Sequence, residues 1–349
     1  MLKLHDVERC SVDDDIKLFF RIRSDDIRKH RSGYDLTEDW PSPYEIDILC
    51  KKAAGLFIYA STVIKFTASP HHHLAERLAL IISLPDSTTH EGKSGIDLLY
   101  TQVLEQAFCD ADLDEQDLYS HFKLVVGAVL LVFHPLSRKT LSELVKNCGA
   151  SPRTSRVLRS LHSLLLIPES ETDPVRVFHK SFPDFLTDSG RCKDKRFFVD
   201  PPVHHIDILF SCLHLMKEQL RKNICGLNGC PTLSEVKDLP ARRKTFIGGA
   251  LEYACRFWTK HLARIPGNGP HVKQVQEEID EFFTKRLLFW IEVLSLTRNL
   301  NVGVYALDDI DQWYLSVSCM GCLLRTLCSC VYRQESPASG QTRANVSSC

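Results

Sequence analysis

Residues 137–178 carry the pattern that most restricts what this chain can fold into. Ser137 is a suitable N-cap for a helix with leucines on one face, and Gly149 supplies the left-handed residue that often ends a helix. A Ser-Pro pair directly afterwards suits the start of a second helix. Two short apolar runs, 165–167 and 175–178, flank a turn of proline, serine and acidic residues, which indicates a β-hairpin. A helix, a tight turn, a helix and a hairpin in this order predict a winged helix domain.

Apolar residues recur at helical spacing over most of the remaining sequence, which therefore predicts helices almost throughout. The predicted helices are 13–30, 44–66, 74–84, 96–108, 114–133, 204–221, 240–263 and 272–297. Gly55 lies inside the second of these and indicates a kink or a close contact. Trp258 and Trp290 lie in the apolar stripes of the last two and are predicted to be buried. The predicted fold class is mainly α: a helical domain, a winged helix with a small β-hairpin, a helical arm and a disordered C-terminal tail.

The charge of the chain is nearly balanced, with 43 basic and 44 acidic residues and a formal net charge of −1. No excess charge therefore favours nucleic acid or an anionic membrane. The longest apolar run, 124–133, is about half the ~20 residues that a membrane span requires. The N-terminus lacks the apolar region of a signal peptide, so a cytoplasmic protein is predicted. Nine of the 14 cysteines are scattered singly, as expected for small buried residues in a reducing compartment.

Four motifs together resemble a known family. They are GLFIYA at 55–60, VRVFHKSFPDFL at 175–186, LEYACRFWTKHL at 251–262 and LFWIEVLSL at 288–296. Over roughly residues 1–300 the chain resembles fungal NACHT-domain signalling ATPases of the STAND class, of the nephrocystin-like N-terminal and WD-repeat type. The matching region of these proteins lies between the P-loop core and a repeat sensor. The chain begins after the phosphate-binding loop and ends where the sensor repeats would start, so a middle fragment without ATPase activity is expected.

The resemblance implies four segments along the chain, and the composition of its C-terminal end adds a fifth. They are a remnant of the nucleotide-binding domain (1–42), a helical domain (43–113), a winged helix domain (114–200), a helical arm (201–316) and a Cys-rich disordered tail (317–349). It implies a non-catalytic regulatory or interaction segment of a signal-transduction protein, so the chain is not expected to be an enzyme. The expected partners are other proteins or further copies of the chain, with no small-molecule substrate, membrane or nucleic acid. No cofactor is expected, and ADP or ATP would matter only if the chain were joined to a nucleotide-binding core.

His179 is the residue to which the resemblance gives the most specific role. In related signalling ATPases a histidine at this place donates a hydrogen bond to the β-phosphate of ADP and holds the closed state. The resemblance therefore implies that His179 senses the nucleotide, since an imidazole N–H can make this bond. A core histidine whose ring is satisfied by backbone groups is an equally good interpretation of the sequence.

Two short motifs resemble parts of a P-loop ATPase. Gly92, Lys93 and Ser94 resemble the end of a phosphate-binding loop, but the full motif needs glycine where this chain has Ser87. A solvated loop is therefore predicted, with a degenerate P-loop ATPase as an alternative. The segment 302–309 resembles a Walker B strand, but it lies too far along the chain for the core of one such domain. A helix or turn with solvated carboxylates is predicted there.

The second helix of the winged helix pattern carries a basic stripe. Its members are Arg153, Arg156, Arg159 and His162. In a DNA-binding winged helix this helix would contact phosphates and guanine edges, which makes a nucleic-acid-binding protein the other alternative. The hairpin turn argues against it, since a basic wing is replaced by Glu169, Glu171 and Asp173.

Cysteines and histidines cluster at two places where a metal could be considered. The first holds four thiols: Cys319, Cys322, Cys328 and Cys330. A C-x-x-C pair suits zinc, but the second pair here is C-x-C and follows closely, so these are weak candidates and no metal site is predicted. The second is the run 71–73, where three consecutive histidines predict an exposed loop or helix start.

Overall fold

The computed structural model describes residues 9–30, 39–69, 73–85, 94–108, 115–146, 154–227 and 236–317. The prediction of a mainly α fold is confirmed, since the described residues form fifteen helices and a single two-stranded sheet. Two compact units are present, Met1–Asp207 and Ile208–Cys349. The predicted disordered tail lies outside the described residues, apart from Val317 at the end of the last helix.

Five helices open the first unit. They are α1 (Arg9–His30), α2 (Pro43–Ala53), α3 (Phe57–Thr67), α4 (Leu74–Ile82) and α5 (Gly95–Ala107). The first of them packs against α2 and α3, and α3 in turn packs against α4 and α5. At the start of α2, the hydroxyl of Ser42 accepts a hydrogen bond from the backbone N–H of Glu45, whose carboxylate accepts one from the N–H of Ser42. This capping box fixes where α2 begins.

The single helix predicted over 44–66 is wrong, because the chain breaks between α2 and α3. Ala54 and Gly55 have φ angles of 47° and 80°, so both lie in the left-handed region. Glycine adopts this conformation without the steric cost that a Cβ atom brings. The kink indicated by Gly55 is therefore a complete helix end. As a result, α2 and α3 can both pack against α1.

A second group in this unit combines three helices, a hairpin and a short helix. They are α6 (Glu115–Leu131), α7 (Arg138–Lys146), α8 (Thr154–Ser160), β1 (Leu165–Leu166), β2 (Arg176–Val177) and α9 (Ser181–Leu186). The predicted hairpin is confirmed, with β1 and β2 antiparallel and Leu165 opposite Val177. An isolated bridge between Ser137 and Pro174 adds a third extended segment beside the hairpin.

The predicted start of α7 is confirmed, and the predicted second helix is present as α8. The hydroxyl of Ser137 accepts a hydrogen bond from the N–H of Thr140 at 3.2 Å, which makes Ser137 the cap of α7. Val157 and Leu158 of α8 are buried, and so are Leu161, Leu164 and Leu165, which follow the helix and lead into β1. The predicted helix end at Gly149 and the Ser-Pro restart lie outside the described residues.

The remaining helices begin with α10 (Pro201–Gln219), inside which the boundary between the two units falls. The others are α11 (Leu239–Phe246), α12 (Gly249–Leu262), α13 (Val272–Lys285), α14 (Leu287–Leu296) and α15 (Leu300–Val317). Two long predicted helices, 240–263 and 272–297, are therefore wrong. The first is interrupted at Gly248, which has extended backbone angles, and the second at Arg286, with φ −127°.

The core of the second unit is built around two tryptophans. Trp258 and Trp290 are 0% and 2% exposed, which confirms their predicted burial. The ring centroid of Phe282 lies 4.9 Å from that of Trp258 and 5.8 Å from that of Trp290. The indole N–H of Trp290 donates to the carbonyl of Cys255 at 2.8 Å. This cluster joins α12, α13 and α14, and α15 packs against α12 and α14.

Five buried cysteines in the described part of the chain form no disulfide, as predicted for thiols used as small apolar residues. They are Cys50, Cys192, Cys212, Cys225 and Cys255. Burial raises the pKa of Cys50 and of Cys192 to about 11. Because the thiolate is the nucleophilic form, the raised pKa keeps these two thiols protonated and unreactive at neutral pH.

His204 is a buried histidine at the start of α10, against α6. A Cβ atom on Gly127 would lie 2.9 Å from Nδ1 of His204, so only glycine at that position leaves room for the ring. Burial, together with smaller contributions from the charges of Lys123 and His205, lowers the pKa of His204 to about 4. The carboxylate of Asp207 lies 3.6 Å from Nδ1, but it is 43% exposed and therefore screened by water.

We expect acid to destabilise the first unit through His204. The folded pKa of about 4 is below the ordinary value of 6.5, so the unfolded chain takes up the proton first as the pH falls. Between about pH 7 and about pH 4.5 this costs roughly 2 kcal/mol of unfolding free energy. Urea unfolding at the two pH values measures the loss. His204→Asn should reduce this loss of unfolding free energy, whereas His134→Asn, at an exposed histidine, should not. An equal loss in wild type and His204→Asn would contradict the role of His204.

Candidate functional site

His179 lies directly after β2 and before α9, and its side chain is exposed. Its Nδ1 accepts a hydrogen bond from the backbone N–H of Ser181 at 3.1 Å and lies 2.8 Å from the Ser181 hydroxyl oxygen. His179 is therefore not a core histidine, although a backbone group does satisfy one of its ring nitrogens. Among the described residues, no hydrogen bond to Nε2 is found, and this nitrogen is open to a ligand.

Tyr100 of α5 supports the turn that holds His179. Its hydroxyl lies 2.6 Å from the hydroxyl of Ser181, and the side chain is buried at 1% exposure. The ring packs against Phe182 and Phe185 of α9, with centroids 5.3 Å and 5.6 Å apart. Burial raises the pKa of the Tyr100 phenol, so the hydroxyl keeps its proton and can donate.

A buried ion pair holds the segment that follows α9 against the same helix. Nη2 and Nε of Arg191 donate to the two carboxylate oxygens of Asp97 at 2.5 Å and 3.2 Å. The Asp97 side chain is only 5% exposed, and this bidentate contact raises the pKa of Arg191. Since Asp97 and Tyr100 are three residues apart on α5, that helix holds both ends of the segment from Ser181 to Arg191.

The residue before His179 is held from another direction, by α3. The ammonium group of Lys65 lies 3.2 Å from the centroid of the Phe178 ring, a cation–π contact. Partial burial lowers the pKa of Lys65. His179 is therefore an exposed side chain on a turn whose flanking residues are fastened to α3 and α5.

The basic stripe predicted for nucleic-acid binding is only partly within the described residues. Arg156 and Arg159 are exposed on α8, whereas Arg153 lies outside the described residues. His162 is half-buried, its Nδ1 lies 3.2 Å from the carbonyl of Arg159, and burial lowers the pKa of its ring. At neutral pH the stripe in the described part therefore consists of two exposed guanidinium groups.

The two P-loop-like motifs occupy different kinds of structure. Of the first, Gly92 and Lys93 lie outside the described residues, and Ser94 precedes the first turn of α5. The second lies within α15, as the helix prediction stated. Its carboxylates are not all solvated, because Asp309 accepts hydrogen bonds from Thr259 and Lys260 of α12, both at 3.1 Å. The Asp309 carboxylate therefore links α15 to α12.

The candidate zinc ligands Cys319, Cys322, Cys328 and Cys330 lie outside the described residues. So do His71 and His72, while His73 directly precedes α4. Within the described ranges, no group of three or more histidine, cysteine or acidic side chains is placed to hold a metal ion. None of the helices there has the length and apolar character needed to cross a membrane.

Sequence reasoning identified His179 and missed the residues that support it. Ser181 falls within the quoted motif 175–186, so its proximity could have been read from the sequence. Tyr100, Asp97 and Arg191 carry no such signal, since an aromatic or charged residue on a helix is ordinarily a core or surface residue.

One curated protein with significant similarity is the vegetative incompatibility protein HET-E-1 of Podospora anserina. It is 26% identical over 284 residues, which cover 76% of this chain and 19% of the relative. The chain thus spans a small part of the length of the relative it matches. No family model and no solved structure gives a significant match. The similarity broadly supports the family resemblance carried by the four sequence motifs.

Proposed function

We propose that this chain is a regulatory and interaction segment of a NACHT-type signalling protein, with no catalysis of its own. The observation that carries the proposal is the turn after the hairpin. There the side chain of His179 is exposed, and its Nδ1 already accepts a hydrogen bond from Ser181. The similarity to a vegetative incompatibility protein over 284 residues supports the same assignment. The partners inferred are other proteins or further copies of the chain.

We assign residues 114–200 to a winged helix domain. The order of α6, α7, α8 and the hairpin supports this assignment, and so does the bridge from Ser137 to Pro174, which sets a third extended segment beside β2. Residues 43–113 then form the helical domain and 201–316 the helical arm.

In this role His179 binds the β-phosphate of ADP when the segment is joined to a nucleotide-binding core. The open ring nitrogen Nε2 is the group that would reach the phosphate, because Nδ1 already accepts from Ser181. Phosphate oxygens are strong acceptors, and one charge-assisted hydrogen bond contributes about 1.5–3 kcal/mol. This contact would favour the closed, ADP-bound state.

We expect His179→Ala to accelerate ADP release from such an assembly. Residues 43–316 would be grafted onto a related nucleotide-binding core, and ADP dissociation measured with and without the substitution. Loss of the contact should speed dissociation roughly ten- to a hundred-fold. His134→Ala, at another exposed histidine of the same unit, is the matched control. Equal rates for wild type and His179→Ala would make His179 a structural residue.

A further inference from the structure

A continuous chain of hydrogen bonds leads from the core to the exposed ring of His179. It begins at the buried Tyr100 hydroxyl, passes through the Ser181 hydroxyl at 2.6 Å and reaches Nδ1 of His179 at 2.8 Å. The Ser181 backbone N–H also points at Nδ1, at 3.1 Å. Two adjacent groups on one residue therefore converge on the same ring nitrogen.

The positions of the protons in this series of hydrogen bonds follow from the donors available. A backbone N–H can only donate, so Nδ1 of His179 must be an acceptor, and a neutral ring then carries its proton on Nε2. The Ser181 oxygen is also within hydrogen-bond distance of the bare Nδ1, so its own proton must lie between them. The Ser181 oxygen is left to accept, and Tyr100 therefore donates to it.

We propose that Tyr100 and Ser181 are positioning residues that hold His179 as the neutral tautomer with its proton on Nε2. The ring then presents a fixed N–H donor to solvent, suited to an oxygen of a phosphoryl group. The identity of this ligand rests on the proposed function, whereas the tautomer and its control by Tyr100 and Ser181 do not. The raised pKa of the Tyr100 phenol is consistent with its role as a donor.

The two support residues should contribute unequally. Ser181→Ala removes the hydroxyl and leaves the backbone N–H, so Nδ1 loses one of its two donors. Tyr100→Phe keeps the ring packed against Phe182 and Phe185 but leaves the Ser181 hydroxyl free to turn towards water. The effect on His179 should therefore be larger for Ser181→Ala than for Tyr100→Phe.

The test is nitrogen NMR of the full chain with ¹⁵N-labelled histidine, at mildly alkaline pH where neutral rings dominate. In wild type we expect the His179 signals of a protonated Nε2 and a bare Nδ1, with a tautomer ratio of at least about tenfold. Ser181→Ala should lower this ratio severalfold, and Tyr100→Phe should lower it less. Tyr119→Phe, which removes a hydroxyl that accepts from Arg196, should leave it unchanged. A mixed tautomer in wild type, or no change in Ser181→Ala, would overturn the proposal.

Inorganic pyrophosphate is the second probe, because it separates this proposal from the proposed function. Titration of the wild-type chain should shift the Nε2 signal of His179. A fall of the tautomer ratio from about ten to about three lowers the Nε2–H fraction only from about 0.9 to about 0.75, so Ser181→Ala should bind pyrophosphate nearly as well. If pyrophosphate leaves His179 unshifted while the tautomer ratio behaves as expected, the phosphate contact is wrong and the positioning by Tyr100 and Ser181 stands. If pyrophosphate shifts His179 but the tautomer ratio is the same in wild type and Ser181→Ala, the positioning role is overturned.

Discussion

Replacing Trp258 by alanine is expected to lower the unfolding free energy of the second unit by about 3–5 kcal/mol. The side chain is fully buried, and its ring packs against Phe282 and Trp290 at centroid distances of 4.9 Å and 6.2 Å. Removing the side chain leaves a cavity, because α12, α13 and α14 cannot all move together to fill it. The loss is a large share of the ~5–15 kcal/mol that stabilises a typical domain. Urea unfolding followed by circular dichroism measures it.

Phenylalanine substitutions provide the matched controls for this cluster. The indole N–H of Trp258 is buried and has no hydrogen-bond partner among the described residues, so Trp258→Phe gives up volume but no hydrogen bond. Trp290→Phe also loses the bond to the Cys255 carbonyl, and should cost about 1 kcal/mol more. A cost below about 1 kcal/mol for Trp258→Ala, or a water-exposed emission spectrum for these indoles, would contradict the assigned core.

Arg191→Ala is expected to cost the first unit about 3–5 kcal/mol, because it leaves the buried Asp97 carboxylate without its counter-charge. The same substitution frees the segment after α9, so the NMR signals of His179 should also change. Chemical denaturation and the His179 spectrum together measure both effects.

The loss of unfolding free energy should depend on which residue of the Asp97–Arg191 pair is replaced. Asp97→Asn should cost less than Arg191→Ala, because the Arg191 side chain is 30% exposed and water can solvate its charge. Arg196→Ala is the matched control, since that guanidinium is 47% exposed and an exposed pair contributes about 0–1 kcal/mol. Equal losses of unfolding free energy for Arg191→Ala and Arg196→Ala would show that the Asp97–Arg191 pair contributes no more than an exposed pair.

The elements that sequence reasoning found are those whose signals are local. The Ser137 cap and the two runs of the hairpin each lie within a few residues, and both are confirmed. The break at Arg286 has no glycine or proline to signal it. In one straight helix Phe282 and Trp290 would be about 12 Å apart along the axis. Their rings are 5.8 Å apart, so packing against Trp258 overrides the local preference for a continuous helix.

The difference between local signals and long-range contacts also applies to the candidate site. His179 and Ser181 are two residues apart, and one motif contains both. Tyr100 lies 81 residues from Ser181, and Asp97 lies 94 residues from Arg191. Only the folded arrangement brings these pairs together, and no periodicity in one sequence encodes such a contact. The role of His179 itself rests on resemblance and stays a prediction.

The buried cysteines give each unit its own built-in probes of local opening. Cys50 and Cys192 lie in the first unit, and Cys212, Cys225 and Cys255 in the second. A thiol reagent reaches such a side chain only while the surrounding structure is transiently open. When closing is faster than labelling, the ratio between the labelling rate of the folded chain and that of the unfolded chain gives the opening equilibrium at that position. The wild-type sequence therefore allows the opening equilibria of the two units to be measured separately at these cysteines, without any engineered reporter.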